Sequence, residues 1–199
     1  MEIWIRDNIR GQGFSQHTTW RTAIGVQLMT MFGSQWFANP DAGGYRFFLL
    51  DITLNNGSEH CTLDEWILLD ADDARIVADM SANDTPSPLV ASTNAGITTN
   101  EPYKVFDRAK QEGVGAGGAN QWIRHFATAG FIKIDLGSGN TANLASYQLR
   151  RGETAAGAPK NFTVEGSNDG DFTGEETVLD TVTGETSWGT DETRTYTID

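Results

Sequence analysis

Side chains capable of acid–base or nucleophilic chemistry are present in this sequence, but their spacing matches no catalytic pattern. The three histidines, His17, His60 and His125, do not have the spacing of metal ligands. The segment from Ser58 to Thr62 does not form a nucleophile elbow. Acidic residues are abundant, but no pair is placed at a separation that would define a glycosidase. We therefore expect a protein that is not an enzyme.

Overall charge and composition exclude several other classes of protein. The 199 residues carry a formal net charge of -13, which argues against nucleic acid or an anionic membrane surface as a partner. No apolar run reaches the roughly eighteen residues of a membrane span, so we expect no membrane insertion. The segment from Met1 to Arg6 lacks the features of a signal peptide. The lone Cys61 excludes an intrachain disulfide and a thiolate metal cluster, and we expect it to be buried.

The chain divides into a short opening segment and a longer acidic part. Residues 1–44 contain three arginines and three acidic residues, so the whole negative surplus falls on residues 45–199. The opening segment is rich in large apolar side chains that it is too short to bury by itself. It is predicted to be an arm that packs either on its own domain or on a neighbouring subunit or scaffold. Residues 19–32 fit a helix or a strand, and the sequence leaves that choice open.

From Tyr45 onward, short apolar segments alternate with clusters of Gly, Asn, Asp, Ser and Thr, which is typical of an all-β fold. One hairpin is explicit: Phe162 and Val164 alternate with polar residues before an Asn-Asp-Gly turn. Two long loops are expected, at residues 79–100 and at the glycine-rich residues 109–120, which lack the Lys and Ser/Thr of a phosphate loop. Eight strands suit a sandwich or jelly roll. They are predicted at Tyr45–Leu54, Leu63–Asp70, Tyr103–Asp107, Phe131–Leu136, Ala145–Arg151, Asn161–Gly166, Glu176–Val182 and Thr193–Ile198.

Four motifs in order resemble the discoidin or coagulation-factor type C family of the galactose-binding-domain-like superfamily. They are Phe106-Asp107, Trp122, the apolar strand with Asp-Leu-Gly at residues 131–137, and the strand ending in Ser-Asn-Asp-Gly at residues 159–170. The segment from Tyr45 to Trp66 resembles the strand pair that normally closes this domain, yet here it comes first. The chain therefore reads as a circularly permuted jelly-roll sandwich, which is physically feasible when the termini lie close together. This interpretation predicts that Gly44 and Asp199 are neighbours and that Thr193–Ile198 joins the sheet of Tyr45–Leu54.

The resemblance implies a non-catalytic binding module. Domains of this family occur in sugar-binding modules, adhesion proteins and virion proteins of tailed phages, and a bare module with an apolar arm is most similar to the phage setting. We expect a virion surface protein of the tail, fibre or capsid that attaches to host carbohydrate and forms a homo-oligomer or docks in a larger assembly through residues 1–44. The alternative is a purely structural or decoration protein of the virion without glycan binding.

Two sets of site residues follow from the resemblance. A carbohydrate site is implied at Arg150 and Arg151, with His125 and Trp188 as companions, because guanidinium groups donate to vicinal hydroxyls and aromatic rings present a face to a pyranose. The alternative is that alternation places one arginine on a solvent face, that His125 is an ordinary surface or core histidine and that Trp188 caps the core.

A structural Ca²⁺ is implied at Asp107 and Glu65, because carboxylates and carbonyls are its preferred ligands. The alternative is that Asp107 forms a plain salt bridge with Arg108 or Lys110, in an insert that departs from the family, or is simply a hydrogen-bonded aspartate.

Overall fold

The computed structural model describes residues 43–94, 100–109 and 120–198, and all of these lie in the second of two units of the chain, Phe37–Asp199. The predicted arm therefore lies outside the described residues, except for its last two positions, and so does most of the glycine-rich segment. The statements that follow concern the described ranges.

The described chain is all-β and forms two antiparallel sheets, as the alternation of apolar residues predicted. One sheet has five strands in the order β3-β5-β1-β7-β8, and the other has four in the order β4-β2-β6-β9. The nine strands are β1 Phe47–Asn55, β2 Cys61–Leu69, β3 Val90–Thr93, β4 Trp122–Arg124, β5 Gly130–Asp135, β6 Ser146–Arg151, β7 Pro159–Ser167, β8 Thr177–Val182 and β9 Thr193–Thr197.

Alternation along the strands explains the core. On β1 the inward side chains of Phe48, Leu50 and Ile52 are completely buried, and they belong to one apolar cluster with side chains of the opposite sheet. Trp66 and Trp122 lie in this cluster, which confirms that they are core residues. Cys61 is also fully buried, and burial raises the pKa of its thiol to about 12.

Seven of the eight predicted strands are present, and one prediction is wrong. Residues 103–107 do not form a strand, because the segment is the short 3-10 helix Pro102–Val105. Pro102 fixes φ and lacks an N–H at a helix start, which favours a helical turn over a sheet ladder. The short strands β3 and β4 were not predicted, and β3 lies within the stretch interpreted as a long loop.

The two ends of the sandwich converge on one short segment. The N–H of Tyr45 donates to the carbonyl of Ala142 at 2.9 Å, and the N–H of Ile198 donates to the carbonyl of Ala145 at 2.9 Å. The segment from Ala142 to Ala145 spans at most about 11 Å, so the two ends of the sandwich, at Tyr45 and Ile198, lie close together. Asp199 itself is outside the described ranges.

The expectation that the last strand joins the sheet of the first is wrong. β1 is central in the five-stranded sheet, whereas β9 is an edge of the four-stranded sheet. Closeness of chain ends does not decide sheet membership, since connections in a sandwich can cross from one sheet to the other.

Candidate functional site

Three aromatic rings lie together at the end of the sandwich where β2 begins and β4 ends. The ring centroids of His60 and His125 are 5.0 Å apart, those of His60 and Phe126 are 5.4 Å apart, and those of His125 and Phe126 are 6.3 Å apart. We call these three residues the imidazole–phenyl cluster. It contains His125, which the sequence proposed as a site residue, and two residues that it did not.

The turn between β1 and β2 positions His60. The buried Asn55 side chain donates from Nδ2 to the carbonyls of Ser58 at 2.9 Å and His60 at 2.8 Å, and its Oδ1 accepts from the N–H of Gly57. Gly57 has a φ of 106°, which favours glycine at this position. The Asn-Asn-Gly sequence therefore fixes the backbone immediately before His60.

Phe126 is exposed to solvent and is not packed in the core. Its side chain is 83% exposed, and its φ of 53° lies in the left-handed region, which is unusual for a bulky residue. Its N–H donates to Nδ1 of His60 at 3.1 Å, and His60 also forms a parallel bridge with Ala127. A backbone N–H can only donate, so Nδ1 of His60 is the acceptor in this hydrogen bond.

The cluster combines an exposed aromatic face with polar ring nitrogens. Nε2 of His60 lies 3.6 Å from a carboxylate oxygen of Glu59, whose side chain is 72% exposed. Hydrogen-bonding groups beside an accessible ring face are the features that bind a neutral sugar: the ring contacts the apolar side of a pyranose, and imidazoles and carboxylates reach its hydroxyls.

Arg150 and Arg151 are both buried, so the alternative that one of them faces solvent is wrong. Nη1 of Arg150 lies 3.1 Å from the buried carboxylate of Asp64, and Nη2 lies 3.6 Å from Asp191. Arg151 donates from Nη1 to the carbonyl of Glu153 at 3.4 Å. A register shift between Leu63 and Glu65 disturbs simple alternation where β2 faces β6, and it places Glu65 opposite Arg150.

Trp188 packs in the core, as the second reading of the sequence allowed. It is 5% exposed, its Nε1–H donates to the carbonyl of Pro159 at 3.0 Å, and the guanidinium of Arg194 lies 4.2 Å from its ring centroid. The contacts of His125 are with His60 and Phe126, a different set from those of Trp188 and the two arginines. The aromatic ring beside His125 is therefore that of Phe126 and not that of Trp188.

Glu65 and Asp107 come close enough for their charges to interact. Glu65 is 5% exposed, and neither carboxylate oxygen has a hydrogen-bond partner among the described residues. Burial, followed by the charges of Asp107 and Asp64, raises its pKa to about 8. Burial also raises the pKa of Asp107, against a hydrogen bond from the N–H of Ala109 at 2.7 Å.

The surroundings of this acidic pair contain charges of both signs, since Arg75 and Arg150 lower the pKa of Glu65 while Asp107 and Asp64 raise it. The salt bridge of Arg108 is with Asp79, at 2.6 Å, and Lys110 lies outside the described residues. Two orphaned buried oxygens beside further carboxylates are what Ca²⁺ would satisfy. The described ranges hold no group of three His, Cys, Asp or Glu placed around a metal, so further ligands would have to be backbone carbonyls or other oxygens.

The residues that sequence reasoning missed, His60 and Phe126, are 66 positions apart. The only local signal for this cluster was the aromatic Phe126 next to His125. The signal became informative only when the structure showed that β4 ends at Arg124, so that both residues lie in the turn that follows the strand.

Comparison with family models, with curated proteins and with solved structures found no match to this chain. In the described part of the chain, no helix has the length and apolarity needed to cross a membrane.

Proposed function

We propose that this protein is a non-catalytic binding module that attaches to carbohydrate through the imidazole–phenyl cluster. The observation that carries the proposal is Phe126: an aromatic ring 83% exposed, on a left-handed backbone held by His60, beside a second imidazole. A φ of this kind costs about 1–3 kcal/mol and persists where surrounding contacts enforce it, often at ligand sites. A rigid, accessible ring supports sugar binding because little side-chain freedom is lost on contact.

The discoidin-like family belongs to the same proposal, and so does its circular permutation, although β9 does not join the sheet of β1 as that interpretation predicted. They are supported by the four sequence motifs, by the two-sheet architecture and by the convergence of Tyr45 and Ile198 on the segment from Ala142 to Ala145. By analogy with this family, the module would sit on the tail, fibre or capsid surface of a phage virion and recognise glycan on the host.

Calcium is proposed as a structural ion of the same module. Glu65 and Asp107 would be its carboxylate ligands, and the ion would supply charge neutralisation for Glu65 and tie the segment after the Pro102–Val105 helix to β2. It takes no part in sugar binding at the cluster in this proposal.

A glycan array with the full chain, followed by calorimetry on the best binder, tests the function. We expect selective binding that F126A weakens at least about tenfold, because stacking of a flat ligand ring on an aromatic side chain contributes on the order of 1–3 kcal/mol, the range known for nucleobases. The matched control is V178A, which removes another exposed apolar side chain, 54% accessible, from β8. Both variants should melt at the wild-type temperature.

Two results would contradict the proposal. One is equal affinity of F126A and the wild type for the same glycan. The other is absence of selective binding by the wild type across neutral and acidic glycans, which would favour the structural or decoration role.

A further inference from the structure

Among the described residues, four strands form the edges of the two sheets, and three of these strands are poor templates for pairing. β3 has four residues and β4 has three. β8 carries a register shift where Glu165 pairs with Val178, and its Asp180 is bonded to Tyr147. Short length and bulges are the usual devices that prevent pairing at an edge. β9, the remaining edge, is regular and contains no proline.

The free edge of β9 can be assigned residue by residue. Backbone hydrogen bonds run from the N–H of Ile198 to the carbonyl of Ala145 and from the N–H of Arg151 to the carbonyl of Glu192. These pairs are in the same register as Tyr147 with Tyr196. In an antiparallel ladder, hydrogen-bonded pairs recur at every second residue, so the even-numbered residues of β9 bond to β6. The N–H and C=O groups of Thr193, Thr195 and Thr197 therefore point away from β6, towards the open side.

The side chains of β9 are also compatible with pairing at its outer edge. Thr193, Thr195 and Thr197 are exposed, and they form a row of neutral, β-branched side chains on a strongly acidic protein. The one charged residue, Arg194, is engaged by Glu185 at 2.5 Å and by Glu192 at 2.9 Å. Tyr196 stacks on Tyr147 at 4.9 Å between ring centroids, which anchors the strand to β6.

We propose that two copies of this chain associate by antiparallel pairing of their β9 strands about a two-fold axis at Thr195. In this register Thr195 faces Thr195 of the second copy and Thr193 faces Thr197, so each outward N–H and C=O meets a partner. Arg194 lies opposite Tyr196, so no like charges within the strand oppose each other, and threonine pairs are favourable across strands. The two four-stranded sheets become one continuous sheet.

The association is expected to depend on concentration, because a single strand pair buries less than the roughly 1,200–2,000 Å² of a standard interface. The net charge of -13 on each copy opposes it, so the measurement belongs in about 0.3 M salt, where the repulsion is screened.

Position-specific disulfide formation in the full chain tests the pairing. Cys61 is fully buried, so a new surface cysteine reacts against a silent background. T195C places two thiols opposite each other at about 5.5 Å between Cα atoms, within disulfide reach. T193C is the matched control. In this register the Cα atoms of residue 193 in the two copies would be about 13 Å apart along the strand, which is too far for a disulfide.

We expect T195C to form a covalent dimer under mild oxidation at least about ten times faster than T193C, and an equimolar mixture of T193C and T197C to form the mixed dimer. Equal rates for T195C and T193C, or no dimer of T195C, would overturn the proposal.

Sedimentation equilibrium gives an independent readout. T195P removes the central outward N–H without disturbing the hydrogen bonds to β6, and it should abolish the self-association that T195V retains. Self-association that survives T195P unchanged also overturns the proposal.

Discussion

Glu65 is the residue whose environment conflicts most with its charge. Its carboxylate is almost completely buried, has no hydrogen-bond partner in the described part of the chain and lies near two further acids. An unpaired buried polar group costs about 1–3 kcal/mol, so the folded protein favours the protonated form or a cation. The raised pKa of about 8 expresses this preference.

The pH dependence of stability should carry the signature of Glu65. Because its folded pKa of about 8 lies above the ordinary 4.5, the folded state holds an extra proton between these values. Its contribution to stability is therefore full below pH 4.5 and is lost as the pH rises towards 8. With chelator present, we expect E65Q to exceed the wild type by about 2 kcal/mol at pH 8 and to show a flatter slope above pH 5 in urea unfolding.

The control for this measurement is E59Q, because the Glu59 side chain is 72% exposed. It should follow the wild-type pH profile. Adding Ca²⁺ at pH 8 should raise the melting temperature of the wild type but not of E65Q, as expected for a ligand that binds only the folded state. A wild-type slope retained in E65Q, or a melting temperature insensitive to Ca²⁺, contradicts the respective assignment.

At the scale of elements, the pairing of β2 with β6 decides what the arginines do. β2 is buried along almost its whole length, and the register shift after Leu63 places Asp64 within ion-pair distance of Arg150. The side chains of Asp64 and Arg150 are 1% and 10% exposed. Such a pair holds two strands in one register, and removal of one partner leaves an uncompensated charge in the interior.

R150M should therefore destabilise the protein by about 3–5 kcal/mol in urea unfolding. The double variant D64L/R150M should recover part of this loss, since no buried charge is left alone. The control is R46M, which breaks a pair with Asp135 whose side chains are 32% and 19% exposed, and it should cost less than about 1 kcal/mol. If R150M is as stable as R46M, Arg150 is free for another role, such as the sugar contact suggested by the family resemblance.

At the scale of the whole molecule, the sandwich places its own two ends, at Tyr45 and Ile198, beside residues 142–145. Tyr45 and Ile198 bond to the two ends of that segment, although their strands belong to different sheets. This closeness is the property that a circular permutation requires. It depends on the antiparallel order of all the strands and cannot be read from any single element.

A re-permuted chain tests this property. Ile198 is joined to Gly44 by about six flexible residues, which can span about 20 Å, and new termini are opened at the exposed turn of Asp72 and Asp73. We expect one cooperative thermal transition within about 5 °C of that of residues 44–198 with the original order. The control has the same linker but opens within β1, at Leu50, where the central strand would be broken. Failure of the first variant to fold would show that the two ends are not as close together as the structure indicates.

Alternation of apolar residues is a local property, and it was sufficient to predict seven strands and the all-β class. The burial of Trp66, Trp122 and Cys61 followed from the usual preference of these residue types for the interior. His125, Glu65 and Asp107 were implied as site residues by the family resemblance, and their roles as ligand-binding residues stay predictions. The errors of the sequence analysis were at residues 103–107, where a proline changed the local preference, and at the sheet membership of β9.

Only the tertiary structure decided which side chains meet. The hydrogen bond from Phe126 to His60 joins positions 66 residues apart, and both Arg150 and Arg151 are buried where β6 pairs with β2 across a register shift. Strand periodicity fixes which face a residue occupies, but pairing, bulges and loop closure are non-local and depend on the energy of the assembled sandwich. For this reason the scaffold could be derived from the sequence, whereas the exposed ring of the candidate site could not.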